Sequence, residues 1–298
     1  MTNLYKYYPS VPNNYFCEPT IKLSQIPFLN DPFEKYISEQ AVTLIAEKVY
    51  RNKIDDDFIG LFKRSFSLSK YEKGIVSLSE THRNILLWAH YANNHKGVCI
   101  GYNADFLSSL PLPKEYDPAV DKIHPVKVKY DSARFDEFEV NHDLDINELA
   151  KELTLSSLTR KSDDWIYEKE HRCITPLKWA DKILIKNILN LSERTLDRHH
   201  SLIEHLRKKD CNAVTIKLDQ INNNLTHDYV LEPEAHFLKD IAPENINSIH
   251  FGCQMDLNTI NRHIKEINES NHNYAHLKVF KYTMNPGKFE LDLEQIKL

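Results

Sequence analysis

The sequence predicts an α+β fold in which many short strands are interleaved with helices at irregular intervals. Short strand-like runs such as L-Y-K-Y-Y, G-I-V-S-L-S, G-V-C-I-G-Y and V-K-V-K-Y recur along the chain, rich in β-branched and aromatic residues. Helical patterns separate them without a regular βα repeat. Glycine is scarce, 6 of 298 residues, and neither G-x-G-x-x-G nor a Walker loop occurs, which sets aside a dinucleotide fingerprint and a P-loop. A composition of 41% hydrophobic and 27% charged residues is that of an ordinary soluble domain. A net charge of -5 gives no general attraction to nucleic acid and leaves only a local basic patch open.

In chain order, L-Y-K-Y-Y predicts a strand ended by Pro9 and Pro12, and I-K-L-S-Q-I-P-F a second. Asn30, Asp31 and Pro32 predict a turn or helix start, with a helix over about 34–51 and a more polar one over about 54–64. G-I-V-S-L-S at 74–79 is a strand. The next helix is expected to be capped by Ser79 or Thr81, to stop near Gly97 and to turn Ile85, Leu86, Trp88, Tyr91 and Ala92 inward. G-V-C-I-G-Y returns as a strand, the prolines of 108–120 predict a loop, and V-K-V-K-Y at 126–130 alternates as a strand. A helix follows over 145–159, then W-I-Y-E-K-E-H-R-C-I at 165–174, read as one strand. A long helix over about 192–208, strands at 212–219 and 247–252, a helix over 257–269 and two terminal strands complete the chain. The expected organisation is one domain over 1–298, with an α/β extension from about 185.

The first residues lack an apolar run, no stretch approaches the roughly 18 to 20 apolar residues of a membrane span, and the five cysteines lack ligand or disulfide spacing. The expected setting is a reducing cytoplasm, with no membrane partner. Fifteen histidines invite a metal, but no H-E-x-x-H or Cys–His quartet is present, and surface or helix-end positions are their ordinary place.

Three stretches hold candidate site residues. W-A-H-Y-A-N-N-H-K-G either docks a helix through Trp88 and Tyr91 or lines a pocket with His90, Tyr91 and His95. Lys6, Tyr7, Ser24 and Asn30 collect on the short strands and the turn near the N-terminus, as structural turn residues or as a cleft wall. On a strand, Glu168, Glu170 and Arg172 share one face. That face is either a wet one with weak ion pairs or a site. There, one carboxylate can stabilise a cationic transition state and the other polarise an acceptor, while Arg172 steadies them or holds a phosphate.

L-Y-K-Y at 4–7, L-N-D-P-F-E at 29–34, S-L-S at 77–79, L-W-A-H-Y-A-N-N-H-K-G-V-C-I-G-Y at 87–102, W-I-Y-E-K-E-H-R-C-I and N-S-I-H-F-G at 247–252 resemble, in this order, the bacterial "domain of unknown function 2971" proteins. More distantly the arrangement resembles ADP-ribosyltransferases. That resemblance implies a split mixed β-sheet with flanking helices and NAD as substrate in a cleft. Lys6 or Tyr7 would take the first-strand role, and Ser77 and Ser79 with His90 and Tyr91 the nicotinamide-embracing role. Glu170, Glu168 and Arg172 would be catalytic, and Asn30 and Trp88 would complete the cofactor site. Lys6 stands where those enzymes carry Arg or His, and S-L-S is looser than their S-T-S. The implied activity is mono-ADP-ribosyl transfer to a macromolecular or small-molecule acceptor, in a toxin or anti-phage defence effector. Two alternatives stay open: a metal-dependent nuclease or phosphodiesterase using Asp31, Glu34, Glu168 and Glu170, and a non-catalytic nucleotide-binding defence module.

Overall fold

The strands expected from the sequence join into one large mixed sheet. In this computed structural model, residues 3–50, 60, 66, 70–135, 141, 143–199, 213–218 and 226–297 are described. The strands are β1 (Asn3–Tyr8), β2 (Thr20–Gln25), β3 (Lys73–Ser79), β4 (Val98–Asn103), β5 (Lys122–Lys127), β6 (Lys129–Asp131), β7 (Arg160–Ser162), β8 (Glu170–Pro176), β9 (Lys182–Ile185), β10 (Val214–Lys217), β11 (Ala235–Asp240), β12 (Ile246–Phe251), β13 (Lys278–Met284) and β14 (Leu291–Ile296). Among the described residues the main sheet runs β10-β9-β11-β2-β3-β1-β4-β12-β13-β14, and β8 and β5 branch from β3. Its pairs are antiparallel except β12 with β13. The helices named here are α1 (Glu39–Tyr50), α2 (Ile85–Tyr91), α3 (Ile146–Thr159), α4 (Glu193–Arg198) and α5 (Leu257–Glu269). The result is a mixed α/β fold on a large mixed sheet.

β3 is the hub. Along one edge it pairs with β8 over its whole length, from Lys73↔Pro176 to Ser79↔Glu170. On the other edge β2 holds its start, at Gly74↔Gln25 and Ile75↔Ser24, and β1 holds its end, at Tyr5↔Ser79. Between them, along Val76–Leu78, β1 and β2 part. Backbone polar groups need partners, and here Lys6 Nζ donates to Ser77 O at 3.1 Å, a side chain standing in where the ladder lapses.

The apolar core is built from both ends of the chain, with Leu23, Val76, Ile100, Tyr102, Ile183, Phe237 and Ile249 all buried. Cys99 and Cys173 are fully buried among these strands, acting as small hydrophobes. α5 turns Ile260, His263 and Ile267 inward at helical spacing and is capped by Asp256. α3 has a full capping box, Asp145 with Glu148, and buries Leu149, Leu153 and Leu158. No helix among the described residues is long and apolar enough to cross a membrane.

Several expectations shift. The helix predicted from about 34 starts as a 3-10 turn, Pro32–Lys35, and α1 begins only at Glu39. The helix over 54–64 falls, apart from Gly60, outside the described residues, as does the part of 192–208 beyond His199. V-K-V-K-Y is not one strand: β5 ends at Lys127, Val128 N donates to Glu170 O, and β6 pairs with β7 in a separate small sheet. The cap of α2 is Asn84, not Ser79 or Thr81, because its Oδ1 accepts from Leu86 N and Leu87 N. The inward residues of α2 are Leu87 and Trp88, whereas Ile85 and Leu86 are exposed.

α2 ends in an unusual way. Asn93, Asn94 and His95 all have positive φ, at 46°, 51° and 66°, a region costly for side-chain-bearing residues and least so for Asn. Gly97 N then donates to Ala92 O at 2.8 Å. The turn packs so tightly that a Cβ on Gly97 would lie 2.2 Å from Tyr8 O and 2.8 Å from Ala92 Cα. Backbone cannot yield as a flexible side chain can. Gly97→Ala is expected to destabilise the fold by about 1–3 kcal/mol, the usual range for overpacking, measurable as a drop in urea midpoint. An unchanged midpoint would contradict this packing.

Candidate functional site

The pocket opens where β1 and β2 part along β3. Its wall is made by Lys6 and Tyr7 of β1, Ser77 and Ser79 of β3, Glu170 and Arg172 of β8, and Glu168 just before β8. Leu29, Asn30, Glu34, Leu87, Tyr91 and Lys161 close it, and the empty volume, open mouth included, is about 520 Å³.

The stretch read as one strand over 165–174 is two pieces. Asp163–Glu168 forms a 3-10 turn, Lys169 takes a left-handed conformation with φ 46°, and β8 begins at Glu170. This corrects the shared-face argument: Glu168 and Glu170 meet in the pocket because the chain turns between them, not because a strand alternates. Ser162 caps the turn. Ser79 Oγ donates to Glu168 O at 2.7 Å, and Asn84 Nδ2 donates to Tyr167 O at 2.7 Å. Tyr130 OH accepts from Glu170 N at 2.8 Å.

Arg172, 1% exposed, is the centre of the charge network. Its Nε and Nη2 donate to the two oxygens of Glu170 at 2.7 and 2.9 Å, Nη2 also donates to Glu34 Oε1, and Nη1 donates to Leu158 O at 2.8 Å. A guanidinium has five N–H donors, so nearly all are engaged. Arg172 therefore steadies the carboxylates and has little left with which to hold a phosphate. Lys161 Nζ donates to Glu168 Oε2 at 2.7 Å, lies 3.6 Å from Glu170 Oε2 and stacks over Trp165. Tyr91 OH donates to Glu168 Oε1 at 2.5 Å and accepts from Asn30 Nδ2.

The two glutamates are driven apart electrostatically. Burial pushes Glu170 up, but Arg172 and Lys161, with hydrogen bonds from Arg172 and Ser77, hold it down at about 2. Burial raises Glu168, and the charge of Glu170 adds to this against Lys161 and Tyr91. One is a fixed anion and the other a carboxylate more ready to take a proton. Burial pulls Lys6 down to about 8, with Glu170 opposing, so its ammonium is retained at neutral pH.

Nine of the eleven residues that the resemblance assigned to catalysis or to NAD line this pocket: Lys6, Tyr7, Asn30, Ser77, Ser79, Tyr91, Glu168, Glu170 and Arg172; Ser24 and His95, the other two candidates of the N-terminal and α2 stretches, do not. Trp88 does not. It is buried beneath, its ring edge on Tyr7 and Tyr282 and its Nε1 donating to His82 O at 2.8 Å. His90 is exposed beside Tyr91 and Tyr167, outside the lining. Sequence reasoning passed over Lys161 and Tyr130, and considered Glu34 only as a metal ligand. Asp31, its companion in that reading, caps the 3-10 turn by accepting from Phe33 N. Glu34, Glu168 and Glu170 face Arg172 and Lys161, and among the described residues no group of three His, Cys, Asp or Glu is arranged to hold a metal ion.

A contiguous piece of the chain, from Leu87 of α2 to Cys173 of β8, thus carries Tyr91, Lys161, Glu168, Glu170 and Arg172. Residues 87–173 match the model of a family described as "Protein of unknown function (DUF2971)". No curated protein and no solved structure matches the chain. The matched segment ends one residue after Arg172, while Lys6, Asn30, Glu34, Ser77 and Ser79 reach the pocket from outside it.

Proposed function

We propose that this pocket receives the nicotinamide–ribose end of NAD and transfers ADP-ribose to an acceptor. The observation that carries the reading is the convergence, at a split in the sheet, of a cation from β1, two serines from β3 and two glutamates around the start of β8. The order of these residues along the chain follows the roles that the resemblance to ADP-ribosyltransferases implies, with Lys6 in place of their Arg or His. The C1′–nitrogen bond breaks, with its electron pair leaving on nicotinamide. The ionised Glu170 hydrogen-bonds the ribose 2′-hydroxyl and stabilises the oxocarbenium ion. Glu168, with its raised affinity for protons, takes the proton of the acceptor as the acceptor heteroatom bonds to C1′. Tyr7 and Tyr91 flank nicotinamide, and the Lys6 ammonium faces the phosphates.

Release of nicotinamide from NAD by the purified protein, supplemented with cell extract as a source of acceptor, tests this. Glu170→Gln is expected to lower turnover by at least about a hundredfold, the scale of losing one preorganised electrostatic group, while calorimetric NAD binding is retained and the thermal melt, lowered by the loss of Arg172's partner, stays cooperative and above the assay temperature. An active E170Q enzyme, or a wild-type protein to which NAD does not bind, overturns the proposal. A second reading is favoured by one specific contact: Arg172 grips both oxygens of Glu170 and offsets its charge, as in a module that binds a nucleotide without cleaving it. NAD binding with no nicotinamide release in the presence of extract selects that reading.

A further inference from the structure

A second concavity adjoins the first. It is lined by Asp31, Phe33, Tyr36, Ser132, Arg134 and Arg160 among others, has an empty volume of about 880 Å³ including its mouth, and shares Glu34 and Lys161 with the first pocket. Glu34 is 4% exposed, and its Oε2 is buried without a hydrogen-bond partner among the described residues. A buried carboxylate oxygen with no donor is costly, and Glu34 lines both cavities, so a ligand donor that reached it would relieve that cost.

The walls of the second cavity fit an anion. Two of its three acidic side chains are turned to protein partners: Asp31 Oδ1 accepts from Phe33 N at 2.9 Å, and Asp131 accepts from Ala133 N at 2.9 Å and from Arg160 Nη1 at 3.1 Å. Arg134 is exposed and, among the described residues, is held through Nη2 by the carbonyls of Phe33 and Tyr36. Its Nε and Nη1 carry three further N–H groups. Ser132 is exposed beside it, and Phe33 and Tyr36 present rings that are 57% and 61% exposed. The Arg134 guanidinium already lies over Phe33, 5.4 Å from its centroid, making the flat cationic and aromatic surface on which a nucleobase stacks.

We infer that the two cavities are one cleft whose second part takes a nucleoside monophosphate unit, with a sugar hydroxyl donating to Glu34 Oε2, a phosphate on Arg134 beside Ser132, and the base laid against Phe33 and Tyr36. This rests on the nucleotide part of the function proposed above and not on catalysis.

The test is calorimetry with AMP as probe, on the full chain. Wild type binds AMP, and binds adenosine at least tenfold more weakly, the scale of a charge-assisted contact. Arg134→Gln weakens AMP by roughly tenfold. Because Arg134 also holds the Phe33–Tyr36 turn, Ser132→Glu is the companion variant: it removes no packing, sets a negative charge in the phosphate position, and produces a loss of similar size. Phe33→Ala weakens AMP severalfold. No AMP binding at millimolar concentration, equal affinity for adenosine, or indifference to both S132E and F33A overturns the inference. AMP binding that behaves as expected in a protein that never releases nicotinamide keeps this cleft and removes the transferase.

Discussion

Replacing Arg172 by methionine lowers the unfolding free energy by about 3–5 kcal/mol, the scale of breaking a buried ion pair from one side. The size follows from what is left behind. Glu170 and Glu34 are 3% and 4% exposed, and both carboxylates face the guanidinium. Without it, one charge lies next to the other with Lys161 the nearest compensation, and Leu158 O loses its donor. An unpaired buried anion either stays charged at high cost or takes up a proton. Arg172→Lys retains a charge but cannot form the two-pronged contact, and it falls between wild type and methionine. The variant carrying R172M together with Glu34→Gln and Glu170→Gln removes the orphaned charges and recovers most of the loss. Urea denaturation reads all four proteins. A methionine variant within 1 kcal/mol of wild type would mean that the network is wetter than its burial indicates.

The second large effect is acid instability above the range in which carboxylates normally cause it. Burial is the leading cause in each of four depressed histidines. His250 is held down to about 3, with His82 adding; His236 to about 3, with Lys22 and Lys186 adding; His82 to about 4, with Arg83 adding; and His263 to about 4, with Arg262 adding. The sign follows from proton counting. Above about pH 6.5 these rings are neutral in both folded and unfolded chains, so they contribute no pH dependence. As pH falls from about 6.5 towards 4 the unfolded chain takes up protons that the folded chain refuses, and stability falls. Each such histidine contributes a slope of up to about 1.4 kcal/mol per pH unit. His250 carries the argument, at 2% exposed; His263 is as buried but has the Glu266 carboxylate 3.6 Å away to offset an added charge, and the half-buried His82 and His236 are screened by water, so these three contribute less. Glu170 acts lower down: with its folded value near 2, the stability it gives is lost only between its ordinary range and that value. Urea midpoints at pH 7, 5.5 and 4.5 should fall steeply, and His250→Phe, which keeps a ring against Phe280, should flatten the descent. A midpoint constant from pH 7 to 5 would refute the burial of these rings.

Strands with clear period-two or apolar patterns were legible in the sequence, since a pleated half-buried ribbon leaves a local signature. β1, β3, β4 and β12, together with α3 and α5, stand within a residue or two of their expected places. Less legible was anything settled by contacts distant in sequence. Nothing in W-I-Y-E-K-E marks a turn, because the left-handed residue is Lys169 and not glycine or asparagine. The turn is held by Ser79, Asn84 and Lys161 instead. Glu34 meets Arg172 across 138 positions, and no local pattern could announce it. The identity of most pocket residues was readable, but the charge network that sets their protonation was not.

Asn84 has a consequence for how the pocket moves. Its carbonyl oxygen receives the first amides of α2, while its amide nitrogen grips Tyr167, one residue before Glu168. At the far end of the same helix, Tyr91 grips Glu168 itself. Helix and turn are therefore pinned at two points, like a plate on two rivets. Fluctuations that separate helix from turn must break both contacts together, which makes the two one local unfolding unit.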